Sequence, residues 1–418
     1  MKITLWSRLG PGLITGAADD DPSGIATYSQ VGAQFGYAIG WTMLFSFPLM
    51  AAIQEISARI GRVTGRGIAA NLRRHYPLPL LHFIVALLLV ANIINLGADL
   101  GAMGDALDLV IGGTFRAFYV VVLAVLCAAL QIFSSYERYV KFLKWITLAL
   151  LAYVAAALAI DIPWGTVAVQ TFLPAPELNK DYLLAIVAIL GTTISPYMFF
   201  WQSSEEAEEE RIDPKQKPLL ADPKQAKPQI RRIEIDTYIG MAFSNIIGLF
   251  IIITTAATLH AHGHTDIQSS SQAAEALRPI AGKFAFLLFA LGIVGTGLLA
   301  VPVLAGSAAY AVGETLHWKV GLGRLPHEAK AFYALIAVAT LLGIAINLVK
   351  IDPIKALFWS AVINGIVAAP LMVVMMIMTA NGKIMGRFTL PPALRIVGWI
   401  ATAVMTATAL ALIASWLI

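Results

Sequence analysis

Three carboxylates stand in a row at Asp19, Asp20 and Asp21 within an apolar stretch, followed at once by Pro22, Ser23 and Gly24. A charged side chain at mid-bilayer depth costs about 2.5–3.5 kcal/mol on the insertion scale, so such a group needs a cation, a proton or water. One helical turn takes about 3.6 residues, and three adjacent side chains cannot all face one point. Asp21, beside the helix-breaking proline, is the residue placed to meet a cation. Asp19 and Asp20 read either as cavity groups or as helix-end residues that cap or face a water-filled vestibule. A second apolar stretch carries a neutral counterpart, Gly191-Thr192-Thr193-Ile194-Ser195-Pro196-Tyr197. Its proline frees backbone carbonyls, and its hydroxyls add neutral oxygen donors.

Both breaks need elements that hold them inside a bilayer, and the composition supplies them. Of 418 residues, 58% are hydrophobic and only 13% charged. A soluble domain is about one-quarter charged. The mean hydropathy of +0.76 agrees. Lipid must therefore cover part of the surface. At about 20 apolar residues per crossing, eleven candidate spans follow: 10–34, 37–57, 80–107, 114–134, 142–161, 182–203, 236–258, 281–313, 329–348, 353–379 and 391–417. The first, third and eighth exceed the needed length, so they are tilted, broken or extended. With the N-terminus cytoplasmic, 23 of the 29 Lys and Arg fall on the cytoplasmic side and 6 outside. That asymmetry predicts a multi-pass cell-membrane protein (inner or plasma membrane) with its N-terminus in and its C-terminus out.

The two broken spans each open a five-span block. An odd number of crossings turns the second block upside down relative to the first. This is the layout of an inverted-repeat transporter, whose site forms where two discontinuous helices unwind near the midplane. The expected organisation is residues 1–161 as the first repeat, 182–379 as the second, and 391–417 as an eleventh helix. Within the second repeat, 204–235 reads as a mobile cytoplasmic linker whose acidic run is solvated. The segment before Gly10-Pro11-Gly12 lacks the pattern of a cleavable signal peptide. Cys127 excludes an internal disulfide and reads as a packing residue. No nucleotide loop, zinc-protease spacing or nucleophile constellation occurs, which argues against an enzyme. No cofactor, nucleic acid or obligate protein partner is implied; the expected partners are the lipid bilayer and a divalent cation or small solute.

Gly10-Pro11-Gly12, Asp21-Pro22, Gly32-Ala33-Gln34-Phe35-Gly36-Tyr37, and Gln54-Glu55-Ile56-Ser57-Ala58-Arg59 with Val63-Thr64-Gly65 resemble the Nramp family of divalent-metal transporters. The likeness is densest in spans 1, 2 and 6. It implies an all-α polytopic protein with the leucine-transporter-type fold, two inverted five-helix repeats plus an eleventh helix. In that family the span 1 motif is Asp-Pro-Gly-Asn and the span 6 motif Ala-x-x-Met-Pro-His. Asp, Asn, a backbone carbonyl and the Met thioether coordinate the metal. Here Asp21 is kept, Gly24 stands at the Asn, Thr192 can offer its carbonyl, Ser195 replaces the Met and Tyr197 the first His.

Thioethers favour soft or borderline metals, whereas a hydroxyl is a hard, neutral oxygen. The expected site of Asp21, Gly24, Thr192 and Ser195 suits Mg²⁺ or Mn²⁺. Loss of two side chains leaves room for a partly hydrated ion. This resembles the branch of Nramp-related magnesium transporters. Proton coupling in the family uses acidic groups of span 3 and histidines of span 6. Asp99 matches one; Ala102 stands where a Glu is usual, and Gln202 at the second His. Transport is therefore expected not to be tightly proton-coupled. Asp99 either carries coupling or pairs with a base such as Arg138 or Lys141. Asn245 and Asn364 either line the cavity or bond between helices. His260, His262 and His264, with Asp105, lie near the outer end, where the histidines read as an exposed loop rather than a metal site. The alternative function is transport of a small organic solute on the same fold.

Overall fold

The computed structural model describes residues 11–112, 115–133, 150–176, 179–213, 215–348 and 352–417. Within them the chain is helical, as it must be where lipid offers no partner to backbone polar groups. The first block holds α1 (Pro11–Asp19), α2 (Pro22–Phe35), α3 (Trp41–Thr64), the short α4 (Ile68–His75), α5 (Leu78–Ile111), α6 (Arg116–Phe133), α7 (Leu151–Ala159) and the short α8 (Trp164–Phe172). The second holds α9 (Lys180–Thr193), α10 (Pro196–Ile212), α11 (Ala226–Thr258), α12 (Ala285–Thr315), α13 (Lys330–Ile346) and α14 (Pro353–Ala380), with α15 (Pro392–Leu417) after it. Seven of the described stretches are long and apolar enough to cross a membrane. The bent pair α2–α3, which turns by 109°, passes the same test together. The fifth expected span is described only from residue 150; Arg138 and Lys141 lie outside the described residues.

The helices interlock across the two blocks. The first block's α2 packs along α11, and the second block's α10 packs along α3. Each broken span thus leans on the span that follows the other break. Between them α5 packs against α12 and α14. Outward faces carry exposed Phe45, Phe83, Phe118, Val125, Leu341 and Leu410, the surface lipid is suited to cover. This is the leucine-transporter-type fold.

The proline-centred breaks predict unwinding over residues 19–24 and 191–196, and both breaks are shorter. α1 ends at Asp19 and α2 restarts at Pro22. α9 ends at Thr193 and α10 restarts at Pro196. Proline accounts for the economy: it lacks an N–H to satisfy and its fixed φ suits the first helical position, so the helix resumes on it.

The region 204–235 departs from the expected mobile linker with a solvated acidic run. α10 stays helical to Ile212 and α11 begins at Ala226. Glu206, Glu208 and Glu210 are buried, at 0%, 5% and 7% exposure. Arg232 pairs with Glu206, and with Glu209 at 3.3 Å. Arg62 pairs with Glu210 at 3.3 Å. Glu208 accepts from Tyr310 and from the backbone N–H groups of Leu322 and Gly323. Buried carboxylates persist when cations and donors come to them; Arg62 and Tyr310 come from elements remote in sequence.

Candidate functional site

Asp21 ends the first break as the N-cap of α2. Its extended backbone (φ −66°, ψ 170°) lets Oδ1 accept from Gly24 N at 2.7 Å, which satisfies one of the free N–H groups of the helix start. Oδ2 faces the other way. It accepts from Asn95 Nδ2 of α5 at 3.0 Å and from Tyr197 Oη of α10 at 3.4 Å. Tyr197 Oη shares its one proton between Asp21 and the nearer Ala18 O at 3.0 Å, a carbonyl near the end of α1. Asn95 is shared: its Nδ2 reaches Asp99 Oδ2 at 3.4 Å, and Asn364 Nδ2 donates to its Oδ1 at 3.4 Å. Asp21, Asn95, Asp99, Tyr197 and Asn364 therefore form one buried polar group drawn from α2, α5, α10 and α14. Ser23 fixes its edge, donating to Leu357 O at 2.9 Å and lying 3.0 Å from Ser360 Oγ.

The second break faces this group. A Cβ added at Gly24 would lie 3.1 Å from Thr192 Oγ1 and 3.2 Å from Asp19 O. The space expected to open beside Gly24 is thus occupied by the Thr192 side chain. Ser195, in extended backbone, donates to Gly191 O at 2.6 Å and Thr192 O at 2.9 Å. Its hydroxyl answers the carbonyls that Pro196 leaves without helical partners.

Asp19 and Asp20 turn away from Asp21's partners. Ser244 Oγ of α11 donates to Asp19 and lies 3.0 Å from Asp20 Oδ1. Both are fully buried, at 0% and 1% exposure. Asp19 ends α1 and Asp20 follows it, and α11 packs over both; the capping residue is Asp21. Gln202 also lies apart, accepting from Gln54 and donating to Thr237 Oγ1 at 3.1 Å. Asn245 donates to Ser46 Oγ at 3.3 Å, a bond between α11 and α3. His260, His262 and His264 are exposed, and no three His, Cys, Asp or Glu converge as a metal-binding group among the described residues. What converges at the breaks is the Asp21 carboxylate, with Asp99 one amide away through Asn95, and hydroxyl and carbonyl oxygens, a donor set suited to hard cations.

Asn95 is the residue that inspection of the sequence passes over. Its spacing of four from Asp99 puts both on one face of α5, which is the available signal. Ser244 has none, since only packing brings α11 to the first break.

Comparison with known proteins follows the same lines. The family model described as Nramp, natural resistance-associated macrophage protein-like, matches residues 12–415. The "Divalent metal cation transporter MntH" of Klebsiella pneumoniae (strain 342) is 27% identical over 408 residues, covering 95% of this chain and 91% of that protein. The MntH of Pectobacterium carotovorum is 26% identical over 394 residues, covering 91% and 87%. The fold matches a crystal structure of a mutant of the Eremococcus coleocola manganese transporter with a TM-score of 0.76 at 18% identity, covering 98% of this chain and 87% of that one. It also matches Mhp1, a nucleobase-cation-symport-1 family transporter, with a TM-score of 0.57 at 13% identity, covering 98% and 93%. With its family model matched almost end to end, and with the fold and paired breaks described above, this multi-pass membrane protein belongs to the Nramp family.

Proposed function

We propose that the chain carries a divalent cation across the membrane by alternating access, with Mg²⁺ or Mn²⁺ favoured over soft metals. One observation carries the reading: Asp21, a buried carboxylate, stands where the two breaks meet, with neutral oxygen donors around it. Its relatives are named for divalent metal cations, which supports the cargo class. In this reading Asp21 Oδ2 supplies the charge, and the Thr192 carbonyl and Ser195 hydroxyl supply hard oxygens. Ser195 would release Thr192 O as the cation arrives, exchanging one oxygen contact for another. Gly24 adds no donor of its own. An oxygen-only shell holds Mg²⁺ with part of its water and gives Cd²⁺ no thioether to prefer.

The same reading has the N-terminus cytoplasmic and transport loosely coupled, or uncoupled, to protons. Tyr197 and Gln202 do not change charge near neutral pH. Asp99 shares Asn95 with Asp21, which supports a role in holding the site rather than in relaying protons. The membrane potential, worth about 2.3 kcal/mol per charge per 100 mV, suffices to draw a divalent cation inward. The test is uptake of Mg²⁺, Mn²⁺ and Cd²⁺ into proteoliposomes, with and without an imposed potential. Potential-driven Mg²⁺ or Mn²⁺ uptake is expected. Cd²⁺ uptake alone, or uptake of none of the three, would overturn the reading.

A further inference from the structure

A second site lies far from the breaks. The ends of α3, α10 and α12 and the short α4 enclose a cleft of about 490 Å³, within the range of small-molecule sites. Arg66, Arg73, Arg74 and Arg211 line it. Among the described residues none of the four has a carboxylate within ion-pair distance, although Arg59, Arg62, Arg232 and Arg278 all do. The lining carboxylate, Glu314, is already engaged, accepting from Ala70 N at 2.9 Å and Ser204 Oγ at 3.1 Å. It thereby pins α4 to the end of α12. Burial, and after it the neighbouring Arg74, hold the Arg66 guanidinium below its ordinary value. The backbone is arranged to complete the wall. His317 adopts φ 59° in the left-handed region, the one non-glycine residue among those described to do so. The turn returns Trp318 N to Gly313 O at 2.8 Å, and both His317 and Trp318 line the cleft.

We propose that this cleft binds a phosphorylated anion. Guanidinium forks match phosphate oxygens two at a time. Arg66, Arg73 and Arg74 have no ion-pair partner among the described residues, and Arg211, which donates to Ala207 O at 3.2 Å and Val320 O at 3.5 Å, adds a fourth positive charge, more than one chloride or carboxylate would satisfy. Trp318 offers a flat apolar surface for whatever the phosphate is attached to. Two sources share this chemistry: the headgroup of an anionic lipid, and a soluble phosphate compound such as a nucleotide. The cleft lies on the side we propose to be cytoplasmic, where both are met. A bound phosphate would tie α4 to the ends of α10 and α12, and so bear on how those ends move.

The test uses the full chain in neutral detergent and in nanodiscs. Binding of inorganic phosphate and of metal-free ATP is measured by calorimetry. Retention of phosphatidylglycerol against phosphatidylcholine is measured by native mass spectrometry. Arg73→Gln and Arg74→Gln are each expected to weaken binding at least tenfold, with Lys215→Gln, an exposed cation outside the cleft, as the control. Arg66→Lys keeps the charge but not the fork, and is expected to weaken binding while leaving thermal stability unchanged. Saturable ATP binding would assign the soluble source and selective phosphatidylglycerol retention the lipid; either supports the proposal. No saturable binding of any phosphate probe would overturn it, as would equal losses in Lys215→Gln, or sodium chloride at matched ionic strength competing as well as phosphate.

Discussion

The two breaks occupy matching places in the inverted blocks, yet their chemistry is opposite. The first is charged, and its key carboxylate is held from three directions: by its own helix through Gly24 N, by α5 through Asn95, and by α10 through Tyr197. The second is neutral and answers its own free carbonyls, through Ser195 on Gly191 O and Thr192 O. Duplicated geometry thus serves a division of labour. On the proposed function, one break would supply charge and depends on its neighbours; the other would supply carbonyl oxygens and is locally self-sufficient. A cation between them would draw attraction from the first and oxygen number from the second.

The sharpest way to break that comparison is to neutralise the charged side. Asp21→Asn should lower cation uptake in proteoliposomes by at least about a hundredfold, since the loss of a close charge partner in a buried site is worth several kcal/mol. Asp19→Asn and Asp20→Asn should each do less, because their side chains turn to Ser244. Equal losses in all three variants would show that the break acts as one acidic cluster.

Changing the neutral side should alter preference more than rate. Ser195→Met should shift the ratio of Cd²⁺ to Mg²⁺ affinity by about tenfold or more toward Cd²⁺, read by calorimetry, because a thioether is a soft donor. It also removes the donor to two buried carbonyls, at a cost of about 1–3 kcal/mol of stability. A variant that stays Mg²⁺-selective would mean the Ser195 position does not face the cation.

Asn95→Ala sharpens the claim that the charged break depends on its neighbours. Removing the 3.0 Å donor to Asp21 Oδ2 should weaken apparent cation affinity several-fold, with the maximal rate less affected, since a charge-assisted hydrogen bond is worth about 1.5–3 kcal/mol before water replaces it. An unchanged affinity would place Asn95 outside the cation's reach. The smallest effect concerns Asp99. With a pH-sensitive dye in the lumen, cation uptake should proceed without matching acidification, and Asp99→Asn should leave that trace unchanged. Acidification that tracks uptake and vanishes in Asp99→Asn would make Asp99 the coupling group.

Hydropathy and proline placement are enough to read both breaks and most of the spans from the sequence; the fifth span is described only from residue 150, and the ninth, Lys330–Ile346, is shorter than a full crossing. Bilayer thickness sets the length of a span, and a proline cannot continue the hydrogen-bond ladder before it. Asp21 is legible on the same grounds, since an unpaired carboxylate in an apolar span demands a reason. What tertiary structure alone decides is partnership. Asn95 meets Asp21 across 74 positions, and Tyr197 meets Asp21 across 176. Ser244 reaches Asp19 across 225. The acidic run after Ser203 is misread as solvated for the same reason: Arg62 and Tyr310, which bury it, lie over a hundred positions away. Local composition measures what a charge costs to bury. Whether that cost is met depends on side chains that only the packing of the two blocks brings together.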